Sequence, residues 1–228
     1  QRIMPLLIDA LNANTNNENY VSLLKNWDFR MDKDRPEPLI YQLFLDKLLD
    51  QLATLITGKR DLLKPDKWLM LSYFEDHPLI EIKEFKQDRD VFIRDTFDLT
   101  IAELKSRYGD DFKKWRYGDF HRTKINHVLR LEPFSVNEFA SDGSQYTVRV
   151  ARGPLVTHGS SQRHIFHMGN PVDVYVNIYG GQSGRPSSKN YQNQLADWKE
   201  VRHRKAQYVN TAEELKGIEF VVRIGENQ

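Results

Sequence analysis

A chain of 228 residues can bury a sizeable core without staples, and one domain is the expectation for that length. Its 33 basic and 32 acidic residues leave a net charge of +1, so no global field draws it to nucleic acid or to an anionic membrane. The lack of cysteine excludes disulfides, thiolate zinc sites and a Cys nucleophile, and no apolar run approaches the roughly 18 residues of a membrane-spanning helix.

The chain opens at Gln1 already inside an amphipathic pattern, with neither Met nor a charged-then-apolar leader, as expected of a segment taken from something longer. Ile3, Leu7, Ala10 and Leu11 predict a first helix, and the polar run from Asn12 to Asn19 a break. Tyr20, Leu23, Leu24 and Trp27 form a second stripe. Pro36 and Pro38 sit where a third helix can start. In that helix Ile40, Leu43, Phe44, Leu48, Leu52 and Leu55 share one side, Asp46, Lys47, Asp50 and Gln51 solvate another, and Gly58 marks its end. Pro65-Asp66 reads as an N-cap for a short helix through Trp68 and Tyr73, and Pro78 breaks any element running on from it. From Asp88 the spacing of Ile93, Phe97, Ile101, Leu104 and Tyr108, closed by Gly109, predicts a helix of about five turns.

The second half alternates with period two. Tyr146, Val148 and Val150 predict one apolar strand face. Val172, Val174, Val176 and Ile178 predict another, with Asp173, Tyr175 and Asn177 turned away. Gly169-Asn170-Pro171 between residues 163–168 and 172–179 predicts a β-hairpin. Gly180 to Gly184 turns the chain into a helix carrying Tyr191, Leu195 and Trp198, and Gly181 and Gly184 are expected where a β-carbon would be penalised. The basic run from Lys199 to Lys205 reads as a solvated helix end. Thr211 and Glu214 fit a capping box, and residues 218–224 a closing strand. Helices in the first half and antiparallel strands in the second predict an α+β fold, with residues 1–120 mainly helical and 121–228 mainly strands.

Of seven histidines, His158, His164 and His167 lie close in sequence. In a strand, however, His164 and His167 project to opposite faces and cannot share a metal, so no metal site is assigned. His121 and His127 would share a face only in a continuous strand, about 20 Å apart, and bonding to buried backbone groups is favoured over catalysis for both. "GGQSG" looks superficially like a nucleophile elbow, but a hairpin precedes it and Arg185 stands where the last glycine belongs. Ser183 is therefore read as part of a turn that Gln182 and Ser183 tie to neighbours. Asp32 and Asp34 lack the glycine and terminal Glu of a calcium loop, and the four tryptophans sit on apolar stripes, where core packing is the default.

"GSSQRHI", a hairpin, "GGQSGRPSSKNYQNQLADW" and a basic segment together resemble the C-terminal end of the β subunit of the penicillin acylase (penicillin amidase) family of N-terminal-nucleophile hydrolases. The ordered matches are Gly159, Ser161, Arg163, Gly181 to Gly184, Ser187 or Ser188, Tyr191, Gln194 and Trp198. Upstream, Leu24, Trp27, Asp28 and Met31 resemble the family's Leu-x-x-Trp-Asp-x-x-Met. "WRYGDFHRTKINHVL" is similar to its Trp-x-Trp-Gly-x-x-His segment at Trp115, Gly118, His121, His127 and Leu129, with Tyr117 in place of the second Trp. The resemblance implies part of an αββα sandwich. It also implies a parent whose N-terminal Ser attacks an acyl amide, such as a β-lactam side chain or an N-acyl homoserine lactone, with its own α-amine as base and an oxyanion hole beside it. Those elements belong to the family's upstream sequence, and Gln1 is not a nucleophile, so no catalytic residue, metal or cofactor is assigned to this chain. His167 occupies a place where many relatives carry an acid, some of them orienting a catalytic histidine, and is the one residue expected near a site. The implied partners are the remaining α and β segments of the parent and its acyl-amide substrate, with no nucleic acid or membrane. The implied location is periplasmic or secreted. A segment parted from its sheet is expected to self-associate through strand edges. The competing reading is a non-catalytic interaction module on the same scaffold.

Overall fold

Apolar residues at helical spacing dominate the first half of the chain, and the computed structural model, which describes residues 3–12, 17–58, 67–74 and 88–218, shows the helices they form. These are α1 (Met4–Asn12), α2 (Glu18–Lys25), α3 (Glu37–Thr57), α4 (Lys67–Phe74) and α5 (Arg89–Tyr108). Pro36 and Pro38 flank the start of α3, where a missing N–H costs nothing. Gly58 ends that helix at φ 65°, donating its N–H to the Thr54 carbonyl at 2.9 Å. Asp88 caps α5, its carboxylate accepting from the N–H groups of Asp90 and Val91.

The chain groups into two compact units, one of residues 1–126 with 136–158, the other of residues 127–135 with 159–228. In the first unit the stripes of α1, α2, α3 and α5 bury Leu7, Leu24, Ile40, Phe44, Leu48, Ile93, Phe97 and Leu104 together, each worth roughly 1.5–3 kcal/mol of hydrophobic stabilisation. Phe44 of α3 and Phe97 of α5 meet edge to face at 5.2 Å. Around that core, Arg94 of α5 donates to the Ala10 carbonyl, Thr96 to Gln51 of α3, and Lys47 pairs with Glu103. After α5, a short helix α6 (Tyr117–Phe120) leads into β1 (Arg122–Ile125). This strand pairs antiparallel with β2 (Val136–Ala140), Thr123 opposite Phe139, and parallel with β3 (Leu155–Val156).

In the second unit β4 (Gln162–His167) and β5 (Asp173–Ile178) form an antiparallel hairpin, running from Gln162 opposite Ile178 to His167 opposite Asp173. On the other side of β5 lies β6 (Arg204–Ala206), and α7 (Leu195–Lys199) packs on β5.

Helices in the first half and strands in the second make the fold α+β. Several local expectations are corrected. Tyr146, Val148 and Val150 are exposed and form no strand. Thr147 Oγ1 accepts from the Ser144 N–H and donates to the Arg149 carbonyl, and this local bonding displaces a ladder. Asn177 is fully buried, because its Nδ2 donates to the Arg202 carbonyl. Tyr191 precedes α7, which is one turn long. The basic run continues into β6, and Arg202 and Arg204 both bond Asp197, which lowers that carboxylate's pKa, the Arg204 bond foremost. Thr211 makes no side-chain cap, and Glu214 accepts instead from the Asn210 N–H. Trp68 is half exposed against Tyr146. The Pro65-Asp66 cap, Pro78 and the strand expected past Ile218 lie outside the described residues.

Candidate functional site

Trp115 to His121 is the best-anchored part of the family-like sequence. Trp115 is fully buried, stacked on Tyr20 at 5.5 Å, and its Nε1 donates to the Gly109 carbonyl at 2.8 Å. It is part of the buried hydrophobic core with the helices. The Gly118 N–H reaches the Lys33 carbonyl at 2.7 Å, and a β-carbon there would stand 2.6 Å from the Ala140 side chain, so only glycine fits. Tyr117, at the place of the family's second Trp, is buried, and its hydroxyl donates to the Gly143 carbonyl at 3.0 Å. Burial, with the charges of Asp46 and Asp142, raises its pKa.

His121 stacks on the Tyr117 ring with centroids 4.7 Å apart. Its Nδ1 lies 2.9 Å from the Ser141 carbonyl, which can only accept, so Nδ1 carries the proton in the neutral ring. Ser141 Oγ, 3.3 Å from the same nitrogen, accepts from Thr123 Oγ1 at 2.7 Å, and all three side chains are buried. Nε2 is buried and has no hydrogen-bond partner. Burial lowers the His121 pKa, outweighing the backbone groups of Ser141 and Ala151 that favour the charged ring. A buried Ser–His contact alone is not a nucleophile–base pair. The histidine presents the wrong nitrogen, since the one facing the hydroxyl already carries a proton.

The loop after β2 is pinned by contacts from distant sequence. Asp142 Oδ1 accepts from the Lys33 N–H, its Oδ2 pairs with Arg149 at 2.8 Å, and the Gly143 N–H donates to the Met31 carbonyl. Gly143 adopts φ 95°, and a β-carbon there would lie 2.3 Å from the Arg149 carbonyl. This loop, α3 and residues 27–31 enclose a cavity of about 490 Å³. Trp27, Phe29, Met31, Tyr41, Tyr117 and Phe120 give it apolar walls, while Asp46, Gln42, His121 and Arg152 are polar members. Phe29 contributes to the wall from a left-handed backbone, φ 62°, a conformation that costs a bulky residue about 1–3 kcal/mol. Burial, followed by the Asp46 charge, pushes the Tyr41 pKa up to about 12. None of Phe29, Tyr41, Asp46, Thr123 or Ser141 stood out in the sequence. Asp46 read as a solvated helix position, and the positive φ of Phe29 carries no sequence signal.

The glycine loop is a braced turn. Gly180 takes φ 83°. At Gly181 a β-carbon would meet the Asn190 carbonyl at 2.1 Å and that of Tyr191 at 2.6 Å, so close backbone approach requires the glycine. Gly184 has open space around it and no left-handed φ, contrary to expectation. Gln182 and Asn193 exchange bonds, Asn193 Oδ1 accepting from the Gln182 N–H and Asn193 Nδ2 donating to Gln182 Oε1. The Ser183 N–H donates to the Asn190 carbonyl, and its Oγ accepts from the Arg185 N–H, with no imidazole or carboxylate bonded to it. Buried Gln194 accepts from the Ile178 N–H and donates its own N–H to Gly180, tying loop to β5. Arg163 lies over the Trp198 ring at 4.6 Å and donates to the Trp198 carbonyl. Tyr191 donates its hydroxyl to the Phe134 carbonyl at 2.8 Å.

His127 does not share a strand with His121. It lies beyond β1, where its Nδ1 accepts from the Leu129 N–H and its own N–H donates to Ser135 Oγ. His167 is exposed at the end of β4, opposite Asp173, whose carboxylate pairs with Lys205. Among the described residues no three His, Asp or Glu side chains gather as metal ligands.

A family model described as penicillin amidase matches residues 1–214. Among solved structures, a thermostable penicillin G acylase from Alcaligenes faecalis, in an orthorhombic crystal form, aligns with a TM-score of 0.61 and 10% identity. The alignment covers 99% of this chain and 46% of the acylase chain, so this chain spans about half of that one. At that identity the likeness is one of fold. No curated protein matches.

Proposed function

The chain belongs to the penicillin amidase family, and from that premise we propose that it is the C-terminal structural segment of an acyl-amide hydrolase whose nucleophile and oxyanion donors lie in upstream sequence. The family match over residues 1–214 carries this reading. The site geometry is consistent with it. Trp115, Gly118, Gly181, Gln194 and Arg163 all brace backbone, and Ser183 is bonded as a turn residue rather than as a nucleophile with a base. In this reading the segment supplies strands and supporting helices, the other α and β segments of the parent are its partners, and the substrate is an acyl amide of the β-lactam side-chain or N-acyl homoserine lactone kind. A periplasmic or secreted location follows from the same family reading.

Two measurements test it. The coding sequence on the 5′ side should continue in frame to a Gly-Ser or Gly-Cys processing junction. The 228-residue chain by itself should release no chromogenic amine from phenylacetyl or long-chain acyl anilides above background, since loss of even one oxyanion donor costs about 100-fold or more. Turnover that survives repurification and disappears in Ser183→Ala would overturn the proposal.

A further inference from the structure

The two edges of the β4–β5–β6 sheet are built differently, and the difference marks the side on which the sheet is finished. Each end strand pairs only with β5 among the described residues. β6 is three residues long, and Lys205, its central residue, is ion-paired with Asp173. Just past it, Gln207 exchanges two side-chain hydrogen bonds with the Lys216 backbone. A short edge carrying charge is a poor template for a further strand.

β4 has none of these guards. It is six residues long, about 20 Å, and pairs with β5 in unbroken register, with no bulge, proline or lysine in it. Its one permanent cation, Arg163, lies over the Trp198 ring and donates to the Trp198 carbonyl. Register also fixes where its backbone groups point. Extending the β4–β5 pairing by one step sets Ser161 opposite Tyr179, and the Tyr179 N–H donates to the Ser161 carbonyl at 3.0 Å. Hydrogen-bonded pairs alternate along an antiparallel ladder, so Arg163, Ile165 and His167 bond β5, while the N–H and C=O groups of Gln162, His164 and Phe166 point away from it. The side chains agree. Ile165 and Phe166 lie on opposite faces and each is about half exposed, whereas in the neighbouring strand Val174 and Asn177, one on each face, are buried. Apolar residues on both faces are the pattern of a strand inside a sheet that is covered on both sides. More than half of the aligned acylase chain lies outside the alignment, which covers 46% of it.

We propose that β4 is an interior strand of a larger sheet, its open edge filled by a strand from the upstream part of the parent chain that sets apolar residues beside Ile165 and Phe166. This rests on the reading of the chain as a segment of a longer acylase. Hydrogen exchange resolved by residue tests it, comparing the 228-residue chain, diluted until it sediments as a monomer, with the longer natural chain. In the short chain the amides of Gln162, His164 and Phe166 should exchange fast while those of Arg163, Ile165 and His167 stay slow. The longer chain should slow the first three by at least about 100-fold. His164→Pro removes an outward N–H and no bond to β5, so the short chain should still fold, while in the longer chain the slowing at Gln162 and Phe166 should be lost. Should that variant fail to fold, the comparison of the two unsubstituted chains decides. Slow exchange at Gln162, His164 and Phe166 in the short monomer would show the edge already filled by this chain and overturn the proposal. So would fast exchange there in the longer chain, or protection that appears only as its concentration rises, the mark of a second copy. A longer chain without a Gly-Ser or Gly-Cys junction would end the acylase reading alone, and the exchange pattern would still decide the strand. A reading frame that starts just before Gln1 would end both.

Discussion

His121 carries the pH dependence expected of a buried neutral imidazole. Its folded pKa lies below the ordinary 6.5, chiefly through burial. Between that lowered value and 6.5 the unfolded chain binds a proton that the folded chain does not, so the His121 contribution is fully present above 6.5 and is lost as pH falls through the folded pKa. One proton limits the slope to about 1.4 kcal/mol per pH unit. Urea unfolding between neutral pH and pH ~5 should therefore show a shallower acid loss in His121→Gln than in the unsubstituted chain. Parallel slopes in the two proteins would remove His121 as the titrating group. The histidine's identity was plain in the family-like segment, but its burial was not. That burial depends on Ser141, twenty residues away, and on the Tyr117 ring.

At the scale of elements, the glycine loop separates two residues that look equivalent in sequence. Gly181→Ala must move the Asn190 and Tyr191 carbonyls, which face it across the turn, and should cost about 1–3 kcal/mol. Gly184→Ala enters open space and should stay within about 0.5 kcal/mol. Equal urea midpoints for the two variants would contradict the loop geometry. The long helices were legible because their periodicity, prolines and glycines act locally: α3 and α5 begin and end beside Pro36, Gly58, Asp88 and Gly109. The segment from Tyr146 to Val150 was misread for the opposite reason. Alternation predicts a strand only where a neighbouring strand accepts its ladder, and here Thr147 bonds the local backbone instead.

For the whole molecule, the exposed feature is β4. In its sheet this strand is paired only with β5 among the described residues, and Ile165 and Phe166, on opposite faces, are 50% and 54% exposed. Such an edge is a template for pairing with another strand. The 228-residue chain on its own should show concentration-dependent association by sedimentation velocity, and Ile165→Lys should reduce it. A single monomeric species at every concentration, with no effect of the substitution, would sink the expectation.

By itself the sequence determined the α+β order, the limits of the principal helices, the β4–β5 hairpin and membership in the penicillin amidase family. Each of these rests on local periodicity, turn chemistry or ordered motif residues. Only the tertiary structure decided the cavity. Its walls come from residues 27–31, α3, α6 and the 144–154 loop, and they are brought together by contacts such as Lys33 with Asp142, 109 positions apart. Closing so long a loop depends on summed packing rather than on any local preference. For the same reason Asp46 read as one more solvated helix residue until the chain folded over it.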